Sequence, residues 1–325
     1  MSIIDGGDAE IDEIYDRVAR VLRKSKTIPV LGAGANLCGR PKDVGYVPGE
    51  YLPSGVELAS LLARSVGYPD RDHEDLARVS QFIASTEGPG PLYDELHEVF
   101  DLQYSPTVLH RFLARLARHM RLVESAKQRM LFITTNYDHA LEQAFQEIDE
   151  PFDLLTYIAD GNDRGRFRHQ PHGGVPVTIE KPDEYLDIDL SERHLIAKIH
   201  GAVEADATDD SYVITEDHYV DYISRAGENF FPVTMQRKLV RSHFLFLGYS
   251  LRDWNFRVML YRLWGLQNGR GYQSWAIDAN PDPVDRAAWK ERGVEIVPER
   301  LESFVKSLEL RFPEPSDHDP EPVAP

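Results

Sequence analysis

Apolar residues at Ile11, Ile14, Tyr15, Val18, Val21 and Leu22 recur at helical spacing and predict an amphipathic first helix over residues 11–22. The pattern then changes. Thr27–Leu31 is a short apolar run that ends at Gly32, as a strand buried on both faces does when it turns toward a helix. Residues 38–54 carry Gly and Pro with little periodicity and predict a loop, after which Ser54 is placed to cap a helix with apolar positions from Val56 to Val66. From Asp72 to Lys127 the apolar spacing is helical throughout, with Pro89-Gly90-Pro91 as an internal turn and no strand pattern. Strand signals resume at Met130–Thr134 and return at Leu154–Ile158, Leu195–Ile199, Tyr212–Ile214, Phe244–Leu247, Ser274–Asp278 and Val294–Val297, with helices expected at Asn136–Gln146 and Phe231–Arg241.

Alternation of strand and helix predicts an α/β fold: a Rossmann-like, mostly parallel sheet with helices on both faces and an inserted helical module. The expected division is a sheet domain of residues 1–55 and 128–311, a helical module of 56–127 and a disordered acidic, proline-rich tail of 312–325. Residues of about 159–193 are polar and rich in Gly, Pro and Asp, and are expected to be an insertion forming a hairpin outside the buried layers.

Composition narrows the function classes. The chain has 325 residues, 42% of them hydrophobic, enough for one large α/β domain and a smaller module. A net charge of -18 argues against non-specific nucleic-acid binding. A small anionic ligand is still compatible with it, because main-chain N–H groups can hold one. The single cysteine, Cys38, allows neither an internal disulfide nor a cysteine-based zinc site. With no signal pattern and no apolar run of spanning length, a cytoplasmic protein without membrane contact is expected.

Four segments concentrate the candidate chemistry, each at the carboxyl end of an expected strand, where open α/β sheets bind ligands. Gly32, Ala33 and Gly34 follow the first strand, and glycine there lets main chain come close to a diphosphate. Leu37 stands where the dinucleotide fingerprint has its third glycine, a departure from the pattern of ordinary dehydrogenases. Thr135, Asn136 and Asp138 follow the next strand, where Thr135 or Asn136 could equally cap a helix. His200 precedes Gly201 at a third strand end, with a side chain suited to accept a proton near neutral pH. Gly248 and Ser250 close a fourth strand, with Asp253, Asn255 and Arg257 beyond, and Asn280 ends a fifth in a run that also reads as a turn. His169 and His172 have a spacing that a metal could use but no evident third ligand, so they are read as loop residues and no metal site is expected.

In this order, Gly32-Ala33-Gly34, Asn136-x-Asp138, His200-Gly201 and Gly248-x-Ser250 resemble the motifs of the sirtuin family. The resemblance runs over about residues 28–299 and skips both insertions. Asn36 stands at the usual serine of the glycine turn, and Thr135 at the usual glutamine before the asparagine. The run from Gly248 to Arg257 is similar to that of bacterial sirtuin-like NAD hydrolases, and the single cysteine cannot form the zinc module of deacetylase sirtuins. The resemblance implies NAD+ as substrate, no zinc, and cleavage of the nicotinamide–ribose bond to nicotinamide and ADP-ribose. Asn136, Asp138 and His200 would then be catalytic. Gly32, Ala33, Gly34, Asn36, Thr135, Gly248, Ser250, Asp253 and Asn280 would bind the nucleotide. It further implies an NAD-depleting effector of antiphage defence acting by abortive infection. Such an effector would be a homo-oligomer, controlled by a partner such as a HerA-type ATPase or a short Argonaute through the helical module. An NAD-dependent protein deacylase and a non-catalytic sensor of NAD or ADP-ribose are the alternatives.

Overall fold

The computed structural model describes residues 5–69, 73–122, 129–225, 230–249 and 272–313, together with Arg257, Leu260 and Gln267. Its strands are β1 (Thr27–Leu31), β2 (Leu131–Thr134), β3 (Phe152–Tyr157), β4 (Phe167–Gln170), β5 (Val177–Ile179), β6 (His194–Lys198), β7 (Gly201–Ala202), β8 (Ser211–Tyr212), β9 (His243–Leu247), β10 (Ser274–Ile277) and β11 (Val294–Val297). Nine of them form one sheet in the order β11-β10-β9-β1-β2-β6-β3-β4-β5, while β7 and β8 make a small antiparallel ribbon. From β11 to β3 every pairing is parallel, which is the expected Rossmann-like α/β architecture.

The helices are α1 (Asp5–Leu22), α2 (Gly55–Ser65), α3 (Leu76–Thr86), α4 (Pro89–Phe100), α5 (Val108–Leu122), α6 (Ala140–Gln146), α7 (Glu216–Arg225), α8 (Val233–Leu239), α9 (Pro283–Lys290) and α10 (Leu301–Glu309). Alternate strand residues feed opposite faces of the sheet. Leu31, Phe132, Ile196, Leu245 and Trp275 pack with α1, α5, α6 and α10 on one face. Ile28, Val30, Ile133, Ala197 and Phe246 pack on the other with Tyr222 of α7, Met235 and Leu239 of α8, and Trp289 of α9. Both faces are covered, so continuous apolar strands are stable here.

The helical stretch 56–127 divides in two. Helices α2 to α4 share a third apolar cluster with Tyr137, Val203 and Tyr212 at the carboxyl edge of the sheet, whereas α5 lies on the sheet face with Leu109, Phe112, Leu113 and Leu116 buried. Its break also moves: Gly88 takes φ 98 ahead of α4, and Pro89-Gly90-Pro91 forms the first turn of that helix. Proline suits a first turn, where its missing N–H has no partner to lose. Ser54 caps α2 as expected, in a reciprocal arrangement with Glu57.

Two expectations are corrected in the polar regions. The 159–193 segment forms the expected hairpin, β4 antiparallel to β5, but β4 also pairs antiparallel with β3 and Phe167, Ile179, Ile188 and Leu190 are buried, so the segment extends the sheet and its core. A few apolar residues spaced widely in a polar segment were enough, because each lands on the already covered face. Phe312, assigned to the tail, is buried, with its ring edge-on to His119 and the Arg23 guanidinium 5.1 Å from its centre. Residues 314–325 lie outside the described residues.

Candidate functional site

The chain leaves β1 for β2 on one side and pairs β1 with β9 on the other, so a crevice opens where the strand order reverses. A cavity of about 420 Å³ occupies it, within the usual size of ligand sites. Gly32, Ala33, Gly34, Asn36, Thr135, Asn136, Asp138, His200 and Gly248 all line it, so nine of the residues singled out in the sequence converge.

The glycine turn owes its shape to main-chain packing. After Gly32 the chain winds into a short 3-10 turn over Ala33–Leu37, and the Gly34 N–H donates to the Gly248 carbonyl at 2.8 Å. Gly248 has φ +65, and a Cβ placed on it would lie 2.0 Å from the Ala35 nitrogen. Neither loop could approach the other with a side chain there. Thr107, just before α5, donates its hydroxyl to the Ala35 carbonyl at 3.2 Å and fixes the far end of the turn.

The second strand end is a polar bend. The expected helix from Asn136 begins only at Ala140: neither Thr135 nor Asn136 caps it, His139 stands at the N-cap without a side-chain bond, and Asp138 forms a turn ahead of it, its Oδ1 accepting from the Ala140 N–H at 2.9 Å. The other carboxylate oxygen accepts from Asn36 Nδ2 at 2.8 Å. Asn136 donates to the Gly32 carbonyl at 3.2 Å and receives the Thr134 hydroxyl oxygen as acceptor for its own N–H at 3.0 Å. Asn36, Asn136 and Asp138 are each buried, so these bonds set their side chains in fixed orientations.

His200 is buried at the end of β6 between Tyr222 and Tyr219, whose ring centres lie 5.3 and 5.7 Å away. The glycine after it is required: Gly201 has φ +87, and an added Cβ would fall 2.0 Å from the Ser211 carbonyl of the β7–β8 ribbon. The His-Gly pair thus combines a functional group at the cavity with a backbone constraint behind it.

The cavity also has an apolar wall that the sequence did not single out. Pro53, Val56, Leu58, Leu76 and Phe100, from the α2–α4 module and its approach, line the cavity, with Tyr219 and Tyr249 at its side. Beneath the Asp138 bend lies a second omission, the ion pair of Lys198 Nζ and Glu142 Oε1 at 2.7 Å, both residues buried. Burial works to raise the Glu142 pKa, but Lys198 and His139 hold it down at about 2. Burial likewise lowers the pKa of His110 on α5, against the opposing influence of Asp138 and Glu142. A lysine inside the apolar run Leu195–Ile199 was the available signal, since a buried charge requires a partner.

The remaining candidates fall elsewhere. Ser250 and Asp253 lie outside the described residues. Asn280 is exposed after β10, where its N–H donates to the Asp278 carboxylate at 3.0 Å, a turn contact away from the cavity lining. Arg257 pairs with Asp285 at 3.2 Å and lies over the Trp289 ring. His169 is corrected from a loop residue to a fully buried residue of β4, bonded to the Tyr185 hydroxyl at 2.7 Å and facing Asp153 at 3.4 Å. No group of three or more His, Cys, Asp or Glu among the described residues could hold a metal ion. No described helix is long and apolar enough to cross a membrane.

The doubly wound sheet with a polar, glycine-edged cavity at its switch point defines a Rossmann-like α/β protein. More narrowly, residues 130–297 match the SIR2-like domain family, and the chain belongs to that family. The matched segment carries Asn136, Asp138, His200 and Gly248, while the Gly32 turn precedes it and reaches the site through β1. The chain is also similar to Defense-associated sirtuin 2 of Bacillus subtilis, at 20% identity over 230 residues that cover 69% of this chain and 19% of that protein. It therefore spans about a fifth of that relative's length.

Proposed function

We propose that this chain hydrolyses NAD+ at the nicotinamide–ribose bond. The observation that supports this best is the convergence of Asn36, Asn136, Asp138 and His200 on one cavity edged by Gly32, Gly34 and Gly248. SIR2-like domains use NAD+, and the buried polar wall suits a ribose: amides and a carboxylate for its hydroxyls, with an imidazole alongside. In this reading the glycine turn meets the phosphates, and Asn136 and Asp138 orient the nicotinamide ribose. The C1′–N bond breaks with its electron pair leaving on nicotinamide. Positive charge then develops on the ribose and is stabilised by the Asp138 carboxylate, which is fixed before the reaction begins. His200 takes a proton from the attacking water or from a ribose hydroxyl as the new C1′–O bond forms, and the proton is finally released to solvent. One NAD+ and one water give nicotinamide, ADP-ribose and one proton.

The name of the Bacillus subtilis relative supports placing this activity in defence, as an effector that depletes NAD. Such an activity requires restraint in a healthy cell. Self-assembly or a partner, of which a HerA-type ATPase or a short Argonaute are two kinds, would provide it.

The test is to incubate the purified chain with NAD+ and follow nicotinamide and ADP-ribose, alone and with candidate partners. His200→Ala should abolish release while the variant stays folded, with some loss of thermal stability because the ring is buried against Tyr219 and Tyr222. Release that persists in His200→Ala refutes the assignment. Consumption only in the presence of an acylated lysine peptide turns the reading to a deacylase.

A further inference from the structure

Beneath the polar wall of the cavity lies a buried charge. Lys198 closes β6 with its side chain fully buried and is absent from the cavity lining. Its ammonium donates to Glu142 Oε1 at 2.7 Å and to the main-chain carbonyl of Asp138. An ammonium taken out of water must satisfy its protons on fixed acceptors, so its partners are held as firmly as it is. These two acceptors flank one bend: Asp138 precedes α6 and Glu142 lies in its first turn. Lys198 thus struts β6, which delivers His200 two residues later, against the bend that delivers Asn136 and Asp138 from β2.

We infer that Lys198 is a positioning residue for the site: by holding the Asp138 carbonyl it fixes the orientation of the Asp138 carboxylate relative to Asn36 and His200. The catalytic part of this inference rests on the NAD+ reading above. The geometry distinguishes a strut from a simple ion pair. Both carboxylate oxygens of Asp138 are already engaged, by the Ala140 N–H at 2.9 Å and by Asn36 at 2.8 Å, and both bonds depend on the peptide orientation that Lys198 holds. A buried ion pair alone can be replaced by neutral groups of similar shape, but the bond to the Asp138 carbonyl has no such replacement in methionine.

The test is the double variant Lys198→Met with Glu142→Gln, which removes both charges together and leaves neither one buried alone. It is expected to remain folded, to keep its KM for NAD+ within about threefold, and to lose about 100-fold in kcat, the scale of a misplacement near 1 Å. The Ala140 amide, read by hydrogen exchange, should exchange at least about tenfold faster than in the wild type, while amides of β1 and β9 keep their rates. A kcat within about threefold of wild type overturns the inference, and so does an unchanged Ala140 exchange rate. The wild-type chain supplies a second measurement should the variant not fold: its Ala140 amide should be protected like those of β2, and exchange at the rate of an exposed loop overturns the inference. Failure of the wild type to release nicotinamide, alone and with candidate partners, counts against the NAD+ reading only, and the exchange measurements then decide the positioning role by themselves.

Discussion

Gly248 and Gly49 provide a matched pair for testing how the glycine turn is built. Both take positive φ, +65 and +74, but an added Cβ at Gly49 meets nothing within 4 Å, whereas at Gly248 it would lie 2.0 Å from the Ala35 nitrogen and 2.3 Å from the Gly34 carbonyl carbon. Alanine at either position pays the left-handed backbone penalty of about 1–2 kcal/mol. At Gly248 the two loops must also separate, which strains the packing by about 1–3 kcal/mol. That movement breaks the bond from the Gly34 N–H to the Gly248 carbonyl, worth about 0.5–1.5 kcal/mol net. Gly248→Ala should therefore cost about 2–4 kcal/mol more than Gly49→Ala, a large share of the roughly 5–15 kcal/mol that holds a domain folded. Denaturant unfolding of the two variants measures the difference at constant slope. Equal destabilisation would show that the clash relaxes without cost, and would refute the account of Gly248 as a packing glycine.

Three further outcomes follow from specific contacts. Glu142 has a folded pKa of about 2 against an ordinary 4.5, so its stabilising contribution is present above about 4.5 and is lost as pH falls toward 2. The stability gap between wild type and Glu142→Gln should accordingly close over that interval in urea titrations, and a gap independent of pH would refute the assignment. Phe312→Ala should destabilise by about 3 kcal/mol in thermal or denaturant unfolding, because that ring is buried against His119. Ser54→Ala removes the cap of α2 and should cost about 1 kcal/mol. If α2 shapes the cavity wall, Ser54→Ala should also weaken NAD+ binding, which isothermal titration would detect.

The sheet was legible because its strands are buried on both faces and so appear as apolar runs between Gly-rich loops. Strand boundaries shifted by a residue or two: β6 begins at His194, not Leu195, and β3 at Phe152, not Leu154. A polar residue at a strand end can pair in the ladder without disturbing the apolar count. The site residues were legible for a different reason. Asn136, His200 and Gly248 each stand within two residues beyond a strand, and parallel strands bring their carboxyl ends to one edge. What the sequence concealed depends on tertiary pairing. Neither the turn that Asp138 makes with the Ala140 N–H nor the Lys198–Glu142 pair can be read from spacing, since one depends on where the helix starts and the other on a partner from another element. The division of the helical stretch was concealed too. Helix α5 has the same amphipathic period as α3 and α4, and only the position of the sheet decides which cluster it joins.

The cavity's two walls have different origins, and this bears on how an NAD-consuming activity could be restrained. The polar wall is carried on strand ends, fixed by the central sheet, while much of the apolar wall belongs to α2–α4. That module is held against the sheet edge by contacts at its base: Phe100 against Tyr137, Tyr93 against Tyr212 and Asp160, and His97 bonded to Asp210 at 2.9 Å. Phe100 takes part in both, touching Tyr137 at the base and lining the cavity above it. A partner or neighbouring subunit that moved α4 would therefore reshape the cavity directly, with no relay through the sheet. Control through the helical module would then change access to Asn136, Asp138 and His200, and the Phe100–Tyr137 contact would carry the movement to the bend that holds Asn136 and Asp138.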